Sequence, residues 1–200
     1  MPVWGAEGAA TALKRCLDTG LPTKLDELRT RYGVNDVDLP DIKIVHPTIV
    51  PLESMTLFPV VMIDVEDTNP VQGVRQAGNP GDLDVWTVPY RCRLYTYAMA
   101  SNTQEVWLLT ARLGLAVREL VLASRVITDD HGTGLIQTST LKEQFYEVAG
   151  NTAASEYIQG MSVFIQVDAE ETIPAPGAWG PEPVHVTHTE HVVGPAGRLQ

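Results

Sequence analysis

The chain has 200 residues, of which 44% are hydrophobic and 20% are charged, which suits one globular domain with or without an extended arm. No run of residues approaches the roughly 18 apolar residues of a membrane helix, and the first seven residues do not resemble a secretion signal. The 25 acidic and 14 basic residues give a net charge of -11, which disfavours sequence-specific binding of nucleic acid. We therefore expect a protein that stays inside the cell and does not bind membranes. The charge still permits an acidic channel through which nucleic acid slides without sticking.

The first 33 residues carry two helical patterns. Apolar residues recur at helical spacing from Ala6 to Asp18, and Gly20 suits a left-handed helix cap. A second pattern follows Pro22, where Thr23 can accept backbone hydrogen bonds at a helix start, and it runs to Gly33. The sequence therefore predicts two short N-terminal helices.

The pattern then changes to that of strands. Apolar and β-branched residues predict strands at Ile42 to His46, Pro59 to Glu66 and Tyr90 to Tyr97. The second strand is apolar on both faces, which is typical of a central strand. Alternation in the third strand predicts one buried face and one amphipathic face. The buried face comprises Tyr90, Cys92, Leu94 and Thr96, and the amphipathic face comprises Arg91, Arg93, Tyr95 and Tyr97.

A long stretch rich in glycine and proline, at about 66–84, separates the second and third of these strands. Loops of this length usually carry function or are mobile. The acidic residues in and beside it are Asp64, Glu66, Asp67, Asp82 and Asp84, and the one basic residue is Arg75. An ordinary solvated loop remains the alternative.

The strongest helical pattern runs from Ser101 to Ser124, where Ser101 and Gln104 match a reciprocal capping pattern. One apolar stripe comprises Val106, Leu109, Leu113, Val117 and Leu120. A second stripe, hereafter the outer stripe, comprises Leu108, Leu115 and Leu122 and lies roughly opposite the first. Arg112 and Arg118 lie on the two sides between the stripes. Either another part of the chain covers the outer stripe, or the stripe meets another subunit.

The rest of the chain predicts a turn, a hairpin and an arm. The turn spans Asp129 to Gly134, and strands at Leu141 to Ala149 and Tyr157 to Ala169 form the hairpin. The last 29 residues, Thr172 to Gln200, contain too many prolines and glycines for a packed element. We predict an α+β domain at 1–171, with a mixed, mainly antiparallel sheet packed on one long helix plus the N-terminal helices. An extended arm at 172–200 follows it.

The sequence contains no pattern typical of catalysis or cofactor binding. It lacks a phosphate-binding glycine loop, a nucleophile elbow, a His-Glu-x-x-His pair and a calcium loop. The cysteines, Cys16 and Cys92, lack metal-binding or redox spacing and are predicted to be small buried residues. We expect no enzyme activity, no cofactor and no metal.

The arm carries three histidines, His185, His188 and His191, at intervals of three residues. Three imidazoles can bind zinc when the backbone brings them together, but an extended strand would turn His188 away from the other two. We therefore interpret them as part of a solvated tail. Together with Trp179 they are the arm's candidate contacts to a partner.

The order of elements resembles the tail terminator proteins of long-tailed bacteriophages. The resemblance is carried by the helical segment from Leu17 to Tyr32, the Phe58-Pro59-Val60-Val61 strand and the Tyr90-Arg91-Cys92-Arg93-Leu94-Tyr95 strand, followed by the helix with Arg112 and Arg118 and the closing hairpin. It covers roughly Ala6 to Ala169 and is one of order and texture rather than of an invariant motif.

The resemblance implies a non-enzymatic virion protein, assembled in the host cytoplasm, that forms a ring at the phage neck. Such rings are usually hexameric, cap the tail tube and join it to the head. The implied partners are further copies of the chain, the tail tube protein and a head-completion or stopper protein, with DNA passing through the lumen. On this reading the outer stripe, Arg112 and Arg118 are candidates for the subunit interface, and the acidic loop lines the lumen or docks the tail tube.

Two alternatives remain. One is a head-to-tail stopper or other head-completion protein, which the strong central helix disfavours because such proteins tend toward small β-barrels. The other is a small-molecule-binding or enzymatic α+β domain with its site under the acidic loop.

Overall fold

The computed structural model describes residues 5–68, 83–128, 130, 132–147 and 156–174. Their elements are α1 (Gly5–Tyr32), β1 (Ile44–His46), a 3-10 helix (Leu52–Ser54), β2 (Val60–Thr68), β3 (Leu83–Ala100), α2 (Thr103–Ala123), β4 (Val126–Thr128), β5 (Thr133–Glu147) and β6 (Tyr157–Pro174). The strands form one sheet in the order β1-β2-β3-β6-β5-β4, in which β1 and β2 are parallel and the other neighbours antiparallel. The predicted α+β class with a mixed, mainly antiparallel sheet is confirmed.

The N-terminal region is one helix of 28 residues, so the prediction of two short helices is wrong. Pro22 lies inside α1, and Gly20, predicted as a cap, lies inside it as well. A proline in a helix interior costs about 3 kcal/mol, but Leu17, Leu21 and Leu25 on either side of it are all buried in the core. Burying these leucines offsets the lost hydrogen bond. The left-handed glycine after the helix is Gly33, at φ 64°.

Both helices pack on one face of the sheet. The predicted alternation in β3 is confirmed, since Tyr90, Cys92, Leu94 and Thr96 are buried. On β6, the residues on the helix side include Val163, Ile165 and Val167, which belong to the same core. The opposite face is mostly polar, with a second, smaller apolar cluster around Val60, Met62, Tyr97 and Ile158.

A buried carboxylate ties the two ends of the domain together. Glu171 on β6 is 5% exposed and accepts a hydrogen bond of 2.9 Å from the backbone N–H of Gly5, the first residue of α1. The hydroxyl of Tyr90 donates to the same Oε1 atom. One side chain thus binds the start of the first helix and the middle of β3.

The strand boundaries differ from the predicted ones in the second half of the chain. β4 occupies Val126–Thr128, where only a fading helix was expected, and β5 begins at Thr133 inside the predicted turn. β6 continues through residues 172–174, which the sequence placed in the arm, and pairs there with β3. Three residues are too few for a periodicity to be recognised, which explains the missed β4.

The start of α2 also differs from the prediction. Its N-cap is Asn102, whose side chain accepts a hydrogen bond of 2.8 Å from the backbone N–H of Glu105. Ser101, predicted as the cap, instead donates its hydroxyl to the Glu105 carboxylate at 3.1 Å. Asn and Ser are comparable caps, so the sequence does not choose between adjacent candidates.

Candidate subunit interface

The side of α2 that faces the sheet is closely packed. Val106, Leu113 and Val117, from the first apolar stripe, are buried, as predicted. Gly114 lies where a Cβ atom would overlap the sulfur of Met161 on β6. A glycine inside a helix costs about 1 kcal/mol relative to alanine, and here it allows close contact between the helix and the sheet.

A second side of α2 faces α1. Leu120 lies against Gly20, and Glu119 binds Arg31 with N–O distances of 2.5 and 3.1 Å. The Nζ atom of Lys24 also lies 3.9 Å from Oε2 of the same carboxylate. Hydrogen bonding to Arg31 lowers the pKa of Glu119 below its ordinary value. The two helices are therefore joined by one apolar contact and one ion-pair cluster.

The outer stripe lies on the remaining surface of α2. Leu108 is 42% exposed and Leu122 is 39% exposed, while Leu115 is partly buried against the core. Among the residues that the structure describes, none covers Leu108 or Leu122 enough to bury it. The outer stripe is thus an apolar strip on a helix that is otherwise well packed.

Both arginines predicted beside the outer stripe make contacts within the chain. Arg112 lies over the ring of Tyr32 at 6.0 Å and donates to the Asp38 carbonyl oxygen at 3.4 Å. Arg118 binds Glu143 on β5 at 3.0 Å. They fix α2 to α1 on one side and to β5 on the other, and so hold the outer stripe in place.

Three exposed aromatic residues lie near the start of α2 or near the end of the β5–β6 pair, and no pattern in the sequence predicted a role for them. They are Trp107 (52% exposed), Phe145 (46%) and Tyr157 (44%). Phe145 is paired across the sheet with Met161, the residue under Gly114, so it lies beside α2. Trp107 lies between the two predicted stripes of α2, so it belongs to neither pattern of apolar residues at helical spacing. The feature that could have indicated them is their aromatic character, because aromatic residues are enriched at protein interfaces.

The residues of the predicted acidic loop are partly in the sheet. Glu66 and Asp67 belong to β2 and are paired with arginines of β3, Glu66 with Arg93 at 2.7 Å and Asp67 with Arg91. Hydrogen bonding to Arg91 lowers the pKa of Asp67. Asp84 lies on β3, where its backbone is paired with Ile173. Arg75 and Asp82 lie outside the described residues, as do the arm residues Trp179, His185, His188 and His191.

Three features of the described residues concern metal binding, cysteine reactivity and membrane insertion. Within the described ranges, no group of three or more His, Cys, Asp or Glu side chains could hold a metal ion. Both cysteines are free, and burial raises the pKa of the Cys92 thiol to about 12, which leaves it protonated at neutral pH. Neither α1 nor α2 is long and apolar enough to cross a membrane.

An open groove of about 550 Å³ lies on the polar face of the sheet beside Glu66, Arg91 and Lys142. Among the described residues, this groove corresponds best to the ligand site that the alternative interpretation places under the acidic loop. Its two charged residues from β2 and β3 belong to the ion pairs of these strands, since Glu66 binds Arg93 and Arg91 binds Asp67.

Comparison with known proteins gives few matches. No family model matches the chain, and no curated protein sequence matches it. Among solved structures, one similar chain comes from the virion of a native gene transfer agent (GTA) particle. It is 9% identical, with a TM-score of 0.33, and the match covers 77% of this chain and 94% of that chain. A TM-score of this size does not establish a common fold, and the interface described above stands on the contacts of this chain.

Proposed function

We propose that the chain is a structural subunit of a long-tailed phage or phage-like virion that assembles with further copies into a ring at the neck, in the manner of a tail terminator. The observation that carries the proposal is the exposed apolar strip on α2. Leu108 and Leu122 are about two-fifths exposed on a helix whose opposite side is fully packed. Apolar side chains left exposed on an otherwise packed helix are candidates for a protein interface.

The shape of the surface also supports association between copies. Trp107 is also exposed near the start of α2, and Phe145 is exposed on β5, on the face of the sheet that the helices cover. Aromatic residues are enriched at interface centres because they bury a large area at small entropic cost. A ring requires that this surface meet a different surface of the next copy, since head-to-tail contacts close into cyclic assemblies.

The proposed role at the neck follows from the resemblance in the order of elements and from the charge. On this proposal, the ring caps the tail tube and contacts a head-completion protein, and DNA passes through its lumen. A net charge of -11 suits a channel that must not retain DNA. Glu66 and Asp67 are paired with arginines, so a net acidic lumen would depend on other carboxylates.

Light scattering over a concentration series tests the proposal, with the protein alone and with the tail tube protein added. We expect a mass near six times the subunit mass of 21.8 kDa, alone or with the partner. A monomer under every condition would contradict the proposal. Such a result would direct the search to the polar groove beside Glu66 as a ligand site.

Paired variants test the assigned surface. Leu108→Lys with Leu122→Lys places two charges on the outer stripe, and Val37→Lys with Leu57→Lys places two on other exposed apolar positions. We expect the first pair to raise the concentration for half-assembly at least about tenfold, because burying an unpaired charge is costly. The second pair should assemble as the wild type does. Equal effects of the two pairs would rule out the outer stripe as the interface.

A further inference from the structure

An apolar groove, hereafter the α1–β2 groove, lies beside the start of α1. It has a volume of about 420 Å³ and is bounded by the first two turns of α1, residues 47–49 and β2. Ile49 is 49% exposed in it, whereas Ile63 is fully buried. Pockets of about 300–1,000 Å³ take drug-sized ligands, so this groove is large enough for an aromatic side chain. Its apolar lining residues are Ala6, Ala10, Pro47, Ile49, Ile63 and Val65.

The groove also exposes part of an unpaired strand edge. β1 pairs only with the first three residues of β2, from Val60 to Met62. Within the described residues, no strand pairs with the outer edge of β2 from Ile63 onward, and residues 63–65 line the groove. Proteins normally cover a free edge, because its backbone groups are a template for other strands. A segment in the groove would therefore cover both apolar surface and part of this edge.

The lining of the groove matches the chemistry of a tryptophan. An indole ring has a large apolar surface and a single N–H group, which needs an acceptor when it is buried. The apolar lining suits the ring, and none of the described residues that line the groove is basic. The polar lining residues all carry oxygen acceptors, and they are Glu7, Thr11, Thr48 and Asp64.

Two large aromatic residues lie outside the described ranges, Trp4 and Trp179. The groove extends along α1 from Ala6 to Thr11, which is about 8 Å. Trp4 directly precedes Gly5, so it can cover only the end of the groove near Ala6. Trp179 has chain on both sides that is long enough to lie along the whole groove. Trp179 is therefore the better candidate.

The arm starts close enough to reach this groove in its own subunit. Glu171 on β6 binds the N–H of Gly5 at 2.9 Å, which fixes this part of β6 beside the start of α1. β6 continues for three residues beyond Glu171, about 10 Å, to Pro174. The five steps from Pro174 to Trp179 span about 16 Å in the extended form that prolines favour, and Gly177 between them can form a turn. The arm can therefore turn back and bring Trp179 to the first turns of α1.

Attachment to the same chain makes even a weak contact effective. A short linker holds its ligand at an effective concentration of about 1 mM, so a site with a Kd near that value is about half filled. The prolines around Trp179 reduce the conformational entropy that the segment loses when it binds. They are Pro174, Pro176, Pro181 and Pro183.

We infer that Trp179 and the residues around it bind in the α1–β2 groove of their own subunit and cover the free edge of β2 there. The arm then acts as a latch, whose release exposes an apolar groove and a strand edge to a partner. The inference concerns the single subunit, so it goes beyond the proposed ring and does not depend on it.

Photo-cross-linking of the full-length protein tests the inference. A benzophenone is attached to Thr11→Cys, in the groove, in a Cys16→Ser background, and the matched control carries it at Thr30→Cys, near the other end of α1. Both threonines are exposed. Isotopically light and heavy subunits are mixed and illuminated at a concentration below any assembly. We expect the main product from position 11 to contain Trp179 and to lie within one chain, while position 30 gives no such product.

Three results of this experiment would overturn the inference. A main product with residues 1–4 would assign the groove to Trp4. A product that joins light with heavy chains would assign the bound arm to another copy. No product with the arm, or equal yields from the two positions, would mean that the arm does not bind in the groove.

Two pairs of variants, measured with the label at position 11, test the contact itself. Trp179→Ala should lower the yield of the cross-link to residues 175–183 at least about tenfold, because a buried aromatic anchor carries most of the binding energy. Trp4→Ala should leave the yield unchanged. Ile49→Asp should lower it at least about fivefold, because a carboxylate in the groove would be buried under the arm. Leu57→Asp, at a similarly exposed apolar position, is the control, and equal yields within either pair would rule out the assigned contact.

The mass of the same proteins in light scattering keeps the two proposals apart. A ring without the cross-link overturns the latch and leaves the ring in place. A monomer at all concentrations, with the cross-link present, overturns the ring and leaves the latch in place.

Discussion

The two apolar stripes of α2 carry three leucines each, but their surroundings differ. The sheet side buries Leu113 completely and includes Gly114, which admits Met161 of β6. The outer stripe has leucines as well, yet Leu108 and Leu122 remain about two-fifths exposed. Where a helix carries two apolar stripes, helical spacing alone therefore does not show which of them is buried. The small residue beside them does, because a glycine inside a helix is retained where another element comes close.

The largest expected difference in stability is between a leucine-to-alanine substitution on the sheet side of α2 and the same substitution in the outer stripe. Leu113→Ala should reduce the free energy of unfolding by about 2–5 kcal/mol, since it leaves a cavity in the core. Leu108→Ala should change it by about 0.5 kcal/mol or less. Urea unfolding of both variants, at a concentration below any assembly, measures the difference. Similar losses would mean that both sides are equally buried and that the comparison fails.

A second prediction addresses the close contact itself. Gly114→Ala should gain about 1 kcal/mol of helix propensity but lose more through overpacking against Met161, for a net loss of about 1–2 kcal/mol. Gly20→Ala, in α1, is the milder comparison, because its new Cβ would lie 2.5 Å from Cδ1 of Leu120, whereas the one at position 114 would lie 1.9 Å from the sulfur of Met161. Thermal unfolding should rank Gly114→Ala below both the wild type and Gly20→Ala. A stabilised Gly114→Ala variant would show that helix and sheet are not in contact there.

The smallest expected effect concerns the ion pair between α2 and α1. The pKa of Glu119 is lowered in the folded protein by Arg31, so its contribution is present above the unfolded pKa and is lost as the pH falls through the folded pKa. Glu119→Gln should lower stability by about 0.5–1 kcal/mol at pH 7, and the difference should disappear as the pH falls through the lowered pKa of Glu119. Unfolding curves across this range measure it, with Glu53→Gln on the 3-10 helix as the control. A difference that persists in acid would assign the loss to packing rather than to charge.

Much of the fold could be predicted from the sequence, because most elements have a clear period. The alternation of β3 and the first stripe of α2 gave the correct buried faces. Pro22 led to the wrong prediction of two helices instead of α1. The free-energy cost of a proline is local, whereas the burial of leucines that offsets it is spread along the helix. β4 was missed because three residues carry no period, and its place is fixed by pairing with β5.

The candidate interface could be predicted only in part. The outer stripe was recognised from spacing, and its exposure at Leu108 and Leu122 depends on where α1 and the sheet lie. Phe145 lies on the helix side of the sheet because β5 pairs with β6, which no local pattern specifies. Arg112 and Arg118 flank the stripe by helical spacing, but their partners Asp38 and Glu143 are distant in sequence and could not be predicted.

The position of β6 determines when the protein can fold. It is the last described strand in the chain, yet it lies between β3 and β5 in the sheet and pairs with both. Neither half of the sheet can join the other until residues 157–174 have left the ribosome, and Glu171 can then bind the N–H of Gly5, 166 residues earlier in the chain. Such pairing between distant residues slows folding. We therefore expect the domain to complete its fold only after nearly all of it has been synthesised, with a half-finished sheet exposed until then.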